Sequence, residues 1–502
     1  MKVDNNKYLR VIIIMLKYIR LSLKNKVVWY ILTRYATYGI QFVVSLLCAA
    51  KMGPYYFGIW GFVLLLLNYM QQINLGIPHS ANILLVQERN NPHSFAVYES
   101  TSFYAQGILC VGVAVFAIVN MIWEYPFLNK YSIGWLFYVV CFIAMAAYMV
   151  QICTTIYRIK HKLLEIAISQ SIVPLLMLLS LFSASGKDLV RWFTLAYLIG
   201  FSFSLLLFFL RGKISLKGRP NSNSFYNIYS KGFFLFVFNA CFCLIIISTR
   251  TVVSSEYTVS EFGYFTFAYT LADAVILLLA AISFLLFPKS IEKLHTSNLT
   301  QVKNTIELLR INYMTFTHGL MYIAFFVFPI ITRFIPKYLP ALPAIYMMAL
   351  ALIMNTMVCG YSDYLMAQNK EKILASVSFL SLVVNILLAL IFAIMIKCTF
   401  EYIIIATIIS YFFFSLTCVY LGLKHMGSSI SAVCVITECF PLRLLIPFLI
   451  SVLFIILWNF WLLPLPFLSF VIFNHKEIKI IYRTFVKLLG NPNMLDVSFN
   501  GK

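Results

Sequence analysis

Eight polar side chains stand out in the long apolar runs of this 502-residue sequence: Arg34, Gln41, Asn74, His79, Arg250, Asp273, His318 and Asp363. A charged group at a bilayer centre costs about 2.5–3.5 kcal/mol on insertion scales, so such residues are functional candidates by default. Arg34 lies among Thr33, Tyr35, Thr37, Tyr38 and Gln41, a polar-aromatic face suited to a wet cavity. Its guanidinium stays protonated and can grip two phosphate oxygens at once; the competing reading is an arginine that snorkels or pairs within the protein. Arg250, within Ser248-Thr249-Arg250-Thr251, is either a second phosphate or sugar contact or another snorkelling side chain. His79 and His318 are candidates to bind phosphate or move protons, against hydrogen-bonded structural roles. Asp273 and Asp363 are counter-ions for the arginines or sites that couple H+ or Na+, and pairing with an arginine is the favoured expectation because it satisfies both charges. Asn68, Gln71 and Gln72 share one helical face, with Asn74 displaced from it; such amides bind sugars or join helices.

No phosphate-binding glycine loop, metal-ligand cluster or nucleophilic triad is present, so neither catalysis nor a cofactor is expected. The 11 cysteines are spread through apolar segments and read as buried filler.

These residues need helices that cross a membrane to hold them. Of the residues, 62% are hydrophobic and 11% charged, against about 25% charged in a soluble domain. Apolar runs of the roughly 20 residues a span requires recur at 27–50, 56–85, 99–122, 132–157, 164–184, 191–210, 232–254, 262–287, 311–333, 341–366, 373–396 and 401–423. A further run at 442–463 and a shorter one at 464–473 suggest a hairpin. The expected fold is all-α and integral to the membrane, with 12 to 14 spans. Basic residues gather in every second gap, among them Arg158, Lys160, Lys162, Arg211, Lys217, Lys370 and Lys372, which places the N-terminus in the cytoplasm and argues against nucleic acid as the partner. Segment 1–26 is read as a basic amphipathic stretch lying on the membrane.

A polar, basic stretch at 211–231 separates the first six spans, 27–210, from the next six, 232–423; residues 424–502 hold the additional spans and a basic tail. Gly53-Pro54-Tyr55-Tyr56-Phe57-Gly58 after the first span is echoed by Val259-Ser260-Glu261-Phe262-Gly263-Tyr264 after the seventh. An even number of spans between the echoes makes the halves parallel repeats, two six-helix bundles around a central cavity.

Together with Thr33-Arg34-Tyr35, Gln41, Asn74-Leu75-Gly76-Ile77, Phe287-Pro288 and Ala367-Gln368-Asn369-Lys370-Glu371-Lys372, these echoes resemble the Wzx-type O-antigen flippases. Those flippases form the polysaccharide branch of the multidrug/oligosaccharidyl-lipid/polysaccharide (MOP) exporter superfamily. The resemblance implies a multi-pass protein of the bacterial inner membrane that moves undecaprenyl-diphosphate-linked oligosaccharide to the periplasmic leaflet. It also implies membrane lipid, an O-antigen polymerase and a chain-length regulator as partners. The rival within the superfamily is a cation-coupled multidrug exporter. The glycan, the coupling ion, the exact span count and the oligomeric state are not legible in the sequence.

Overall fold

The computed structural model describes residues 26–490, apart from 213, 215, 296, 297, 428 and 429. Residues 1–25 and 491–502, which carry most of the expected amphipathic N-terminal segment and the end of the tail, lie outside the described residues. Among the described residues there is no strand. A helix satisfies its own backbone groups, which lipid cannot do.

The first half comprises α1 (Lys26–Gln72), α2 (Ile77–Gln87), α3 (Pro92–Ile122), the short α4 (Pro126–Asn129), α5 (Leu136–Ile159), α6 (Leu163–Ser180) and α7 (Gly186–Leu210). Helix α8 (Ser222–Lys231) lies in the stretch expected as a linker. The second half comprises α9 (Phe233–Glu256), α10 (Val259–Leu294), α11 (Leu299–Phe334), α12 (Leu342–Thr356), α13 (Tyr361–Ala367), α14 (Glu371–Leu390) and α15 (Ile404–His425). Helices α16 (Ala432–Cys439), α17 (Leu442–Leu457), α18 (Pro464–Phe473) and α19 (His475–Gly490) follow.

Among the described residues, eleven helices are long and apolar enough to cross a bilayer, or twelve if the bent pair α16–α17 counts as one span. The first of the eleven, Leu32–Gln72, has 41 residues, twice the length of a crossing. It is two helical arms joined at Gly53, whose φ of 68° and ψ of 170° leave the helical region for one open to glycine alone. Exposure separates the helices by position. Only 17% of the span window in Pro92–Ile122 is buried, against 83% in Pro336–Ala367, so α3 shows apolar side chains such as Val111 and Ile118 outward while α12 forms the centre of the second half.

Two details differ from the sequence reading. The second crossing does not run unbroken over 56–85: it stops at Gln72, and the chain turns through Leu75 and Gly76, with φ of 49° and 74°, before α2 begins. Stretch 211–231 is partly ordered into α8, capped by Asn221, which accepts from the Ser224 N–H at 2.7 Å. Helix α8 docks on α3 through Ser224 and Thr101, 2.9 Å apart, and through Asn227, which donates to the Tyr98 hydroxyl at 3.0 Å.

At the Gly53 end the halves close on each other, and the echoed segments do the closing. A Cβ on Gly263 would sit 1.9 Å from the Pro54 carbonyl oxygen, and one on Gly58 2.0 Å from that of Val259, so the second arm of α1 meets α10 backbone to backbone. Tyr131, stacked on Phe62 of its own half at 4.0 Å, meets Phe262 of α10 edge-on at 5.9 Å, and Phe57 meets Tyr338 edge-on at 6.0 Å. Lys130 donates to the carbonyls of Ser254, Ser255 and Tyr257 at 2.6, 2.7 and 2.6 Å. The Tyr131 hydroxyl donates to the Ser254 carbonyl at 3.0 Å and lies 2.7 Å from the Ser254 hydroxyl. An ammonium against the free carbonyls at the C-terminus of α9 also complements the helix dipole.

Candidate functional site

Below that seal lies a cavity of about 840 Å³ between the two halves. Its lining runs along α1 from Arg34 to Cys48, about 21 Å at 1.5 Å per residue. The second arm of α1 adds Phe57, Trp60, Leu64 and Asn68. Opposite, α11 contributes Leu320, Ile323, Ala324, Val327, Phe328 and Ile331, spaced three and four apart so that a single apolar stripe faces the space.

Among the described residues, charge in this lining comes from Arg34, Arg250 and Asp273: two guanidiniums against one carboxylate. Arg34 is half-buried; it donates to the Tyr38 hydroxyl at 2.6 Å, and its guanidinium carbon lies 4.6 Å from the centre of that ring. One helical turn separates the two residues, so the first arm of α1 alone sets this geometry. Next to it the Tyr35 hydroxyl reaches across to the Leu278 carbonyl of α10 at 2.8 Å.

Arg250 is 2% exposed. It donates to the Gly61 carbonyl at 3.3 Å across the interface and packs over the Tyr269 ring at 4.8 Å, while its Nε has no partner among the described residues. Asp273, one turn beyond Tyr269 on α10, acts on Arg250 electrostatically. Yet no ion pair within 4.0 Å joins Asp273 to either cavity arginine among the described residues. In place of a direct ion pair, the favoured expectation, Arg250 is held by the Gly61 carbonyl and the Tyr269 ring, with Asp273 acting on it from a greater distance. Gln41 also lines the cavity, on the first arm of α1.

The other four candidates lie elsewhere. Asn74 shapes the turn after α1: its oxygen accepts from the Gly76 N–H and its nitrogen donates to the Gln71 carbonyl, both at 3.0 Å. Asp363 caps α13, accepting from the Gly360 N–H at 3.0 Å. His318 is fully buried, with Nδ1 2.8 Å from the Met314 carbonyl, and its ring meets Tyr322 and Phe440; a nitrogen that close to a carbonyl carries the proton. His79 sits on α2, exposed, beyond the break in the second crossing.

Sequence reading missed several groups. Gln170 on α6 lines the cavity with its amide oxygen buried and unpartnered among the described residues; its signal was one amide between Ser169 and Ser171, a turn before Pro174. Tyr197 lines it from α7. Thr266 is 1% exposed, with an unpartnered hydroxyl. Away from the cavity, buried charges are matched: Lys160 donates to Glu99 at 3.0 Å, and Arg310 donates to the carbonyls of Met357, Cys359 and Cys439 at 3.1, 3.3 and 3.0 Å, and to that of Glu438.

Known protein-family profiles give no match, and neither do curated protein sequences. Solved structures do match. A lipid II flippase, MurJ, in an inward closed conformation aligns with a TM-score of 0.64 at 16% identity, over 91% of this chain and 100% of its own. A multidrug resistance MATE transporter of the MOP superfamily, inward-facing, aligns at 0.63 with 10% identity, over 79% of this chain and 98% of its own. An outward-facing MATE transporter of that superfamily aligns at 0.56 with 12% identity, over 82% and 95%. The architecture is therefore that of a multi-pass helical membrane protein. More particularly, it is the fold that these solved flippase and exporter structures share.

Proposed function

We propose that this protein is a flippase that carries an undecaprenyl-diphosphate-linked oligosaccharide, an O-antigen unit, from the cytoplasmic to the periplasmic leaflet of the bacterial inner membrane by alternating access. The observation that carries the reading is the cationic lining: among the described residues, Arg34 and Arg250 against Asp273 alone, in a cavity between two halves. A diphosphate diester bears about two negative charges and suits guanidiniums. Arg34 receives the diphosphate at the open end and Arg250 holds it deeper, while Gln41 contacts the sugar. The likeness to a lipid II flippase supports a lipid-linked cargo.

With the N-terminus cytoplasmic, as the basic gaps indicate, the Gly53 end faces the periplasm and the sealed state is the one that loads from inside. Each unit of negative charge moved outward gains about 2.3 kcal/mol per 100 mV, so the membrane potential favours export. Asp273, facing the same space without an ion pair among the described residues, is the candidate coupling or counter-ion group.

That carboxylate and the MATE neighbours support the second reading, a cation-coupled exporter of small organic cations. Complementation separates the two. A host that lacks its flippase but retains matching glycan-assembly enzymes should regain surface O-antigen with this chain and lose it with Arg34→Ala at equal expression. Gradient-driven efflux of organic cations without any O-antigen display would establish the exporter instead.

A further inference from the structure

The cavity walls differ in a way the arginines do not explain. The α11 stripe offers no hydrogen-bonding side chain, whereas the first-half wall offers Gln41, Ser45, Asn68, Gln170 and Tyr197. Gln170 is the most telling of these. Its amide oxygen is buried without a partner among the described residues, an unfavourable state unless a ligand or solvent donor satisfies it. An amide oxygen accepts only, so a phosphate diester, all acceptors, cannot serve it; a hydroxyl or an acetamido N–H can.

The side-chain amides of Gln41 and Asn68 are likewise uncommitted among the described residues, and they donate as well as accept. Beside them Tyr197 and Phe201 present half-buried rings, 6.2 Å apart. Trp60, 3% exposed and also in the lining, meets Tyr197 edge-on at 5.5 Å. An acceptor with no donor, amides of both polarities and an apolar ring surface are together the complement of a sugar, which carries hydroxyls around an apolar C–H face.

Resting on the lipid-linked reading above, we propose that Gln170, Asn68, Gln41 and Tyr197 form a glycan subsite on the first-half wall, separate from the arginines, which selects the sugar nearest the diphosphate. The arginines hold what all such cargoes share, and the amide wall reads what differs. The cavity volume of about 840 Å³ lies within the roughly 300–1,000 Å³ of ligand sites, large enough for the head of the cargo while the lipid tail stays in the bilayer.

The test is equilibrium binding to the full chain in lipid nanodiscs. The probes are undecaprenyl diphosphate and the same lipid carrying one N-acetylhexosamine or one hexose. The parent should bind at least one glycosylated lipid about five- to tenfold tighter than the bare one, the factor one satisfied hydrogen bond supplies. Gln170→Leu should collapse that ratio toward one, and Tyr197→Leu should reduce it, with an unchanged melting temperature confirming the fold in each case. Arg34→Ala should weaken every lipid while keeping the ratio. Equal affinities of the parent for bare and glycosylated lipid overturn the subsite and leave the flippase reading standing, and so does a ratio that survives Gln170→Leu. If the parent binds neither kind of lipid, the flippase reading falls and the subsite falls with it.

Discussion

The seal at the Gly53 end can be opened by removing one ammonium. Lys130 makes three hydrogen bonds to backbone carbonyls of α9 and the residue after it, at 2.6–2.7 Å. Hydrogen bonds to charged groups reach about 1.5–3 kcal/mol when buried, but Lys130 is exposed, so about 0.5–1 kcal/mol each is the appropriate scale. Lys130→Ala should then cost the closed state about 1.5–3 kcal/mol, a shift of roughly 10- to 100-fold toward opening at 1.4 kcal/mol per decade. Adding Tyr131→Phe, which removes a buried hydroxyl paired with Ser254, should contribute about 1 kcal/mol more. A native reporter is in place: Cys48 lines the cavity beneath the seal and is 1% exposed. A membrane-impermeant maleimide applied from the Gly53 side of intact cells should modify Cys48 slowly in the parent and at least about tenfold faster in Lys130→Ala. Mass spectrometry, with Cys48→Ser as the blank, assigns the site. Lys130→Arg should stay near the parent, since it keeps the charge. Unchanged Cys48 labelling in the double variant, at parental expression, would refute the idea that these contacts hold the halves together.

Gly263→Ala should act on the same equilibrium by repulsion, because its Cβ would meet the Pro54 carbonyl at 1.9 Å. Overpacking of that kind costs about 1–3 kcal/mol and should raise Cys48 labelling, whereas Gly107→Ala, with open space around its Cβ, should leave it unchanged. Arg310→Ala should destabilise the protein by about 3–5 kcal/mol, since four carbonyls from the α12–α13 break and α16 lose their donor. A lower melting temperature in detergent and earlier proteolysis within α16–α17 would show it, and Arg310→Lys should rescue little because an ammonium cannot fork between the two segments.

Much of the architecture was legible because lipid imposes a simple rule. A chain that crosses it repeatedly must do so as apolar helices of a set length, and composition alone announces them. The echo of Gly53–Gly58 in Val259–Tyr264 also carried three-dimensional meaning, since those segments prove to pack on each other. Breaks within a crossing were less legible: Ile83-Leu84-Leu85-Val86 extends the apolar run past Gln72, and the stop there depends on the Asn74 turn and on Tyr148 of α5, which donates to the Met70 carbonyl.

Among the candidate residues, the sequence determined which side chains were costly to place in a membrane, and so why each must have a purpose. It could not determine the purpose, because a buried aspartate that caps a helix and one that faces a cavity have the same hydropathy. Asp363 finds its backbone donor three residues away, and His318 finds a carbonyl four residues away. Arg34, Gln41, Arg250 and Asp273, from helices as far apart as 239 residues in the chain, Arg34 to Asp273, meet around one space. That choice belongs to tertiary structure, for the physical reason that a cavity exists only where two halves are packed against each other, and no local pattern records which face of a helix the other half will cover.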